Sequence, residues 1–269
     1  MNTKKFQTIQ EFMREPFGRS DSMDKNAKYD ELYKKFISEN KIRIEGFTTI
    51  EDSYYVHIKI PSESQTTEKN KKYEYDVIIR FFTDKPELLL AGSFRAYYMQ
   101  FFSNSPSFIY RYAYLYKEHD YLIKMLYDKL DPEYQNVKPE KTNAGMELSY
   151  DKSIYFACRF LSDHQFRYMN KKGVLRAKKK TPQKFFSDIS DFKSVKFDQD
   201  LMNAEKKLKK SIDKGGTTKE KSAAGREIFD LNKKQNIEAK KGKKITGKPK
   251  IKGSHRVIKI VGRKTTRKG

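Results

Sequence analysis

Between Lys41 and Phe81 the chain repeats one pattern three times, with apolar and polar residues taking turns at every second position. KIRIEGF sets Ile42 and Ile44 against Arg43 and Glu45. YYVHIKI sets Tyr54, Val56, Ile58 and Ile60 against Tyr55, His57 and Lys59. KYEYDVIIRF sets Tyr73, Tyr75, Val77, Ile79 and Phe81 against Glu74, Asp76 and Arg80. A period of two belongs to half-buried strands, whose side chains point alternately to core and solvent. The connections, such as PSESQTTEKNKK, are short and polar. Parallel neighbours would need a structured crossover of about a dozen residues or more, so antiparallel pairing is expected. A fourth strand is expected over 93–102 (SFRAYYMQFF).

Around these strands the period changes to 3.6. Residues 26–40 place Tyr29, Leu32, Tyr33 and Phe36 on one helical face, with Ile37 beside them. Ser105 and Pro106 form an N-cap and first-turn pair. They open an aromatic stripe of Phe108, Ile109, Tyr112, Ala113, Leu115 and Tyr116 that runs on to Leu122, Met125 and Leu126. Farther on, Ile154, Ala157, Cys158 and Leu161 recur at helical spacing. The expected fold is α+β, an antiparallel sheet of about four strands packed with two or three helices on one face. Ahead of it, residues 1–25 read as a flexible leader, in which Phe6, Ile9, Phe12 and Met13 could form one amphipathic turn.

Charge divides the chain. Residues 170–269 hold 32 Lys or Arg and 10 Asp or Glu, whereas residues 1–169 hold 26 and 25, so almost the whole net charge of +23 sits in the last hundred residues. Aromatics run the other way: every Tyr lies at or before Tyr168, and only Phe185, Phe186, Phe192, Phe197 and Phe229 follow it. The expected organisation is therefore a leader over 1–25, a core domain over 26–169, a charged helical linker over 170–238 and a basic tail over 239–269. In this C-terminal extension, partly helical or disordered, HRVIKIV (His255 to Val261) is a candidate short strand.

The sequence offers little for catalysis. His57, His119, His164 and His255 are scattered, form no HxH or HxxxH pair, and read as surface residues. GxSxG, GxxxxGKS/T and GxGxxG are all absent. The nearest miss, GKKITGKP, has Pro249 where a P-loop places its metal-binding hydroxyl, and KGGTT (214–218) sits in a charged linker. A Mg²⁺-dependent nuclease would need converging carboxylates. Asp76 is on a strand and Asp52, Asp84 and Glu87 are near strand ends, but no second acid stands at a convincing spacing. Cys158 lies among apolar helical neighbours and reads as a buried, inert thiol. A single cysteine also excludes a disulfide framework and agrees with a reducing compartment. No catalytic residue, metal or cofactor is expected. The opening residues lack an apolar run of signal-peptide length, and nowhere do about 18 apolar residues follow one another, so a soluble protein without a membrane partner is expected.

The strongest functional signal is the tail. Lys240, Lys241, Lys243, Lys244, Lys248, Lys250, Lys252, Arg256, Lys259, Arg263, Lys264, Arg267 and Lys268 crowd into thirty residues that contain no Asp or Glu. Such a segment resists compaction and can follow a phosphate backbone, releasing counterions as it binds. Non-specific nucleic-acid binding is expected, with DNA favoured over RNA. Tyr110, Tyr112, Tyr114 and Tyr116 could be imagined as a base-stacking platform. In a nearly neutral domain they read instead as core or as a protein interface, since Tyr buries area while keeping a polar tip.

FFSNSPSFIYRYAYLY (101–116) and ELSYDKSIYFACRFL (147–161) resemble structural-type proteins of tailed bacteriophages infecting low-GC bacteria. The resemblance covers residues 101–161, carries no catalytic motif and does not reach the tail. It implies a non-enzymatic virion or assembly component, an oligomer contacting its own copies or other virion proteins, in the virion and the host cytoplasm. A cytoplasmic DNA- or RNA-binding regulatory protein is the alternative, with a Mg²⁺-dependent nuclease behind it.

Overall fold

The alternating stretches pair as one antiparallel meander. The computed structural model describes residues 6–18, 23–62, 74–84, 97–163, 178–193 and 195–196, together with residues 200, 203–204, 207, 210, 223, 226–231 and 233. Strands β1 (Arg43–Ile50), β2 (Ser53–Pro61), β3 (Glu74–Phe82) and β4 (Tyr98–Ser103) lie in sheet order β1-β2-β3-β4, each antiparallel to its neighbour. This is the α+β class expected from the sequence. The register sets Val56 opposite Ile79 and Phe47, and Ile79 opposite Phe101. One face thus collects the apolar members of every stretch.

That face is closed by helices α1 (Ile9–Arg14), α2 (Met23–Ser38) and α6 (Lys152–Asp163). Phe12 is fully buried and meets Phe101 with ring centroids 5.3 Å apart, while Phe156 of α6 meets Phe36 of α2 at 5.7 Å. Each buried aromatic of this kind stabilises by roughly 1.5–3 kcal/mol relative to exposure. Residues 6–18, expected as part of a flexible leader, instead place Ile9 and Phe12 in the core. Thr8 caps α1 through a reciprocal capping box with Glu11, and its backbone bridges to Tyr98 at the edge of β4.

The polar halves of the strands are covered too, which differs from the one-faced sheet expected. Helix α7 (Pro182–Ser187) packs Phe185 against His57 at 5.9 Å and Phe186 against Tyr55 at 5.8 Å. The backbone of Lys178 and Lys180 pairs with Phe47 along the free edge of β1. Gly46 permits this approach, since a Cβ there would stand 2.7 Å from the Lys180 side chain and 3.0 Å from the Lys178 carbonyl. At the other edge, Tyr121 and Ile123 bond to Phe101 of β4. Both exposed edges are thereby blunted against pairing with another chain.

The expected long aromatic helix is three short ones, α3 (Pro106–Arg111), α4 (Ala113–Glu118) and α5 (Lys124–Tyr127). Ser105 caps α3, accepting a hydrogen bond from Phe108 N at 3.0 Å. Tyr112 breaks the first junction with φ −127°, and Asp120 at φ 61° turns the chain so that Tyr121–Ile123 can join the sheet edge. Clustered aromatics are weak helix formers, and the edge bonds win.

The compact unit containing the sheet runs to Lys206, and a second comprises Lys207–Gly269. The core therefore extends past the expected limit at residue 169, because Phe185 and Phe192 are buried in it despite the basic composition around them. In the second unit residues 226–231 are helical, and Lys207 donates to Glu227 at 3.0 Å.

Candidate functional site

Two buried carboxylates organise the polar groups of the sheet unit. Asp76, on the second face of β3, is fully buried. Its Oδ1 accepts from His57 Nε2 and from Lys59 Nζ, its cross-strand partner. Its Oδ2 accepts from Asn104 Nδ2 and from the backbone N–H of Ser190, both at 2.9 Å. Asn104 also accepts from Asp76 N at 2.8 Å and donates to Ser190 O at 3.0 Å. Burial alone would raise the Asp76 carboxyl. The hydrogen bond and charge of His57, joined by those of Lys59, outweigh it and hold the group well below the usual carboxylate range. Four donors fill the acceptor sites of a carboxylate, so no lone pair is left for a metal ion.

The other residues weighed for chemistry are placed apart. Asp52 lies in the β1–β2 turn and Asp84 follows β3, at the end of the sheet where Tyr54 pairs with Phe81. Asp76 pairs five residues along, about 16 Å away at the rise of a strand. Glu87 falls outside the described residues. Among the described residues no group of three His, Cys, Asp or Glu could hold a metal ion. Cys158 is fully buried in α6, and burial pushes its thiol far up. His57, expected at the surface, is fully buried, and its Nδ1 has no hydrogen-bond partner. His119 is exposed, whereas His164 and His255 lie outside the described residues.

Asp151, the second carboxylate, opens α6 from the loop before it and is only 3% exposed. Its Oδ1 accepts three donors: Ser153 N at 2.9 Å, Ser153 Oγ, and Ser105 Oγ at 3.2 Å. Ser103 Oγ and Ser153 Oγ are 3.0 Å apart. Residues 101–116 and 147–161 are thus tied to each other by a serine–aspartate knot.

That knot forms the floor of a cleft of about 830 Å³. Tyr29, Leu32 and Lys35 of α2 supply one wall, Ile60, Pro61, Ser62 and Tyr75 of the sheet another, and Arg111, Tyr112 and Lys152 a third. Ser62 and Tyr75 hydroxyls lie 3.2 Å apart. Lys35, Arg111 and Glu31 are exposed at the rim, while Ser62, Ser105, Asp151 and Ser153 are buried at the bottom. The sequence marks Ser105 as a cap but does not reveal this cleft. Its one available signal is Asp151 followed by Lys152 and Ser153 ahead of an apolar helix, an N-cap pattern.

The four tyrosines expected in the core or at an interface separate. Tyr116 has no exposed surface and packs on Phe101 and Phe108, so it cannot meet another molecule in the intact fold. Tyr110 packs on Tyr134 and Phe192, and Tyr112 lines the cleft. Tyr114 stays partly exposed. The tail cations Lys240 to Lys268, and the strand expected at His255–Val261, lie outside the described residues. Among the described residues no helix is long and apolar enough to cross a membrane. No protein-family model, no curated protein and no solved structure matches the chain.

Proposed function

We propose that the chain is a non-enzymatic component of a virion or of its assembly, which contacts nucleic acid through its basic C-terminal segment. The observation that carries this reading is the charge step: 32 cationic against 10 acidic side chains over residues 170–269, after a nearly balanced first 169. Thirteen of those cations fall in residues 240–268 with no acid among them. Such a segment binds phosphate backbones irrespective of base sequence, with DNA the favoured target. The sheet unit adds support, since the residues best suited to chemistry are committed to its fold: Asp76 with four donors, and Cys158 sealed in the core. Contacts with other virion proteins or with further copies fall to this unit, in the virion and the host cytoplasm.

The test is a chain ending at residue 238, compared with the full chain in a DNA mobility shift at low salt. The truncated chain is expected to lose most of its retention while the sheet unit unfolds at the same denaturant concentration. Equal retention by both chains would contradict the proposal. Light scattering addresses the assembly half: a chain that stays monomeric with and without DNA would contradict it.

A further inference from the structure

We propose that the cleft above Asp151 is a nucleotide-binding site. A sugar hydroxyl would donate to Asp151 Oδ2, the phosphate would meet Lys35, Arg111 and Lys152, and the base would lie against Tyr29 or Tyr112. The proposal stands apart from the reading of segment 239–269, because every residue it uses belongs to the sheet unit.

Asp151 is only 3% exposed, and its three accepted hydrogen bonds all fall on Oδ1. Among the described residues Oδ2 accepts none. It is not sealed in the interior as the partnerless His57 Nδ1 and Tyr116 Oη are, and Asp151 lines the cleft. A buried carboxylate oxygen left open calls for a donor, and a charge-assisted bond there is about twice as strong as a neutral one. The hydroxyls of Ser62 and Tyr75, 3.2 Å apart, line the same cleft.

At the rim the charge reverses, with Lys35, Arg111 and Lys152 outnumbering Glu31. A simple anion would face Asp151, and a simple cation would face the three basic groups. The fitting ligand is bipolar, with a hydroxyl or amine donor at one end and an anion at the other. Its middle must be aromatic and large, because Tyr29 and Tyr112 present ring surface and about 830 Å³ lies within the usual size of small-molecule sites, roughly 300–1,000 Å³. A free amino acid is bipolar too but would leave most of that space empty. A nucleoside phosphate meets all three requirements.

Calorimetry on the full chain with AMP, at about 0.15 M salt to screen the basic segment, tests this. AMP is expected to bind, and adenosine and ribose 5-phosphate each more weakly. Asp151→Asn keeps a capping oxygen on α6 but puts an amide where an acceptor is needed, so AMP affinity should fall roughly tenfold or more. The exposed pair Lys35→Ala/Arg111→Ala should weaken AMP similarly while leaving adenosine unchanged, and this variant decides the matter alone if Asp151→Asn fails to fold. Absence of AMP binding at millimolar concentration would overturn the proposal. So would equal AMP affinity in wild type and the rim variant, which places the ligand elsewhere, or tighter binding of glycine or inorganic phosphate than of AMP.

Discussion

Asp76 and Asp151 are the same residue type, both almost wholly buried beside the same sheet, yet they are built differently. Asp76 accepts four hydrogen bonds, two on each oxygen, from His57, Lys59, Asn104 and the backbone of Ser190. It joins β2, β3, the end of β4 and the segment that follows α7. Asp151 accepts three, all on one oxygen, and lines a cleft. A closed carboxylate serves as a staple, and an open one is a place where something can bind. What separates the two is the number and direction of the donors, which burial does not reveal.

The largest effect should come from breaking the closed member. Asp76→Ala leaves His57, Lys59, Asn104 and the Ser190 N–H facing an empty acceptor, and is expected to cost about 3–5 kcal/mol in urea denaturation. A loss below about 1 kcal/mol would show that Asp76 does not hold these elements together. Acid should expose the same staple. Its folded carboxyl sits well below its ordinary value, so the stability it contributes is complete above the unfolded Asp pKa of about 3.9 and is lost as pH falls from there through the depressed folded value. Below about pH 4 the wild type should therefore lose stability more steeply than Asp76→Asn. Parallel curves would place the acid sensitivity elsewhere.

Smaller effects calibrate the pair. Thr8→Ala removes the α1 capping box at the far edge of the sheet, and about 1 kcal/mol should follow, read from the same denaturation curves. The smallest expected change is at the open carboxylate, where Asp151→Asn should cost less than about 1 kcal/mol because the cap survives. A loss as large as that of Asp76→Ala would erase the distinction between staple and site.

The strands are legible in the sequence because alternation is a local signal, and Ile42–Ile44, Val56–Ile60 and Val77–Phe81 carry it plainly. The α6 helix is legible for the same reason, its buried Ile154, Ala157, Cys158 and Leu161 being spaced as a helix requires. What alternation does not reveal is that the polar positions are buried as well. His57, Lys59 and Asp76 look like a solvent face until Asn104 and Ser190 arrive from 28 and 114 residues beyond Asp76 to complete the network. Residues 6–18 resemble a loose leader for a similar reason, since their place depends on Tyr98 and Phe101, far along the chain. The aromatic run reads as one helix because its spacing fits, while the pull of the β4 edge on Tyr121–Ile123 has no local mark. The cleft is the least visible feature, being assembled from α2, the sheet and two serine-bearing stretches that become neighbours only in the fold.

The central functional claim is that the cationic tail, rather than the sheet unit, holds nucleic acid. The most direct measurement is the salt dependence of duplex DNA binding, for the full chain and for a variant with Lys240, Lys241, Lys243, Lys244, Lys248, Lys250 and Lys252 replaced by Gln. For every phosphate that the variant fails to neutralise, the slope of log K against log salt should become shallower by about 0.9. The variant slope should be shallower by several units, with unfolding of the sheet unit unchanged. An unchanged slope would mean that these lysines do not pair with phosphates and would contradict the claim.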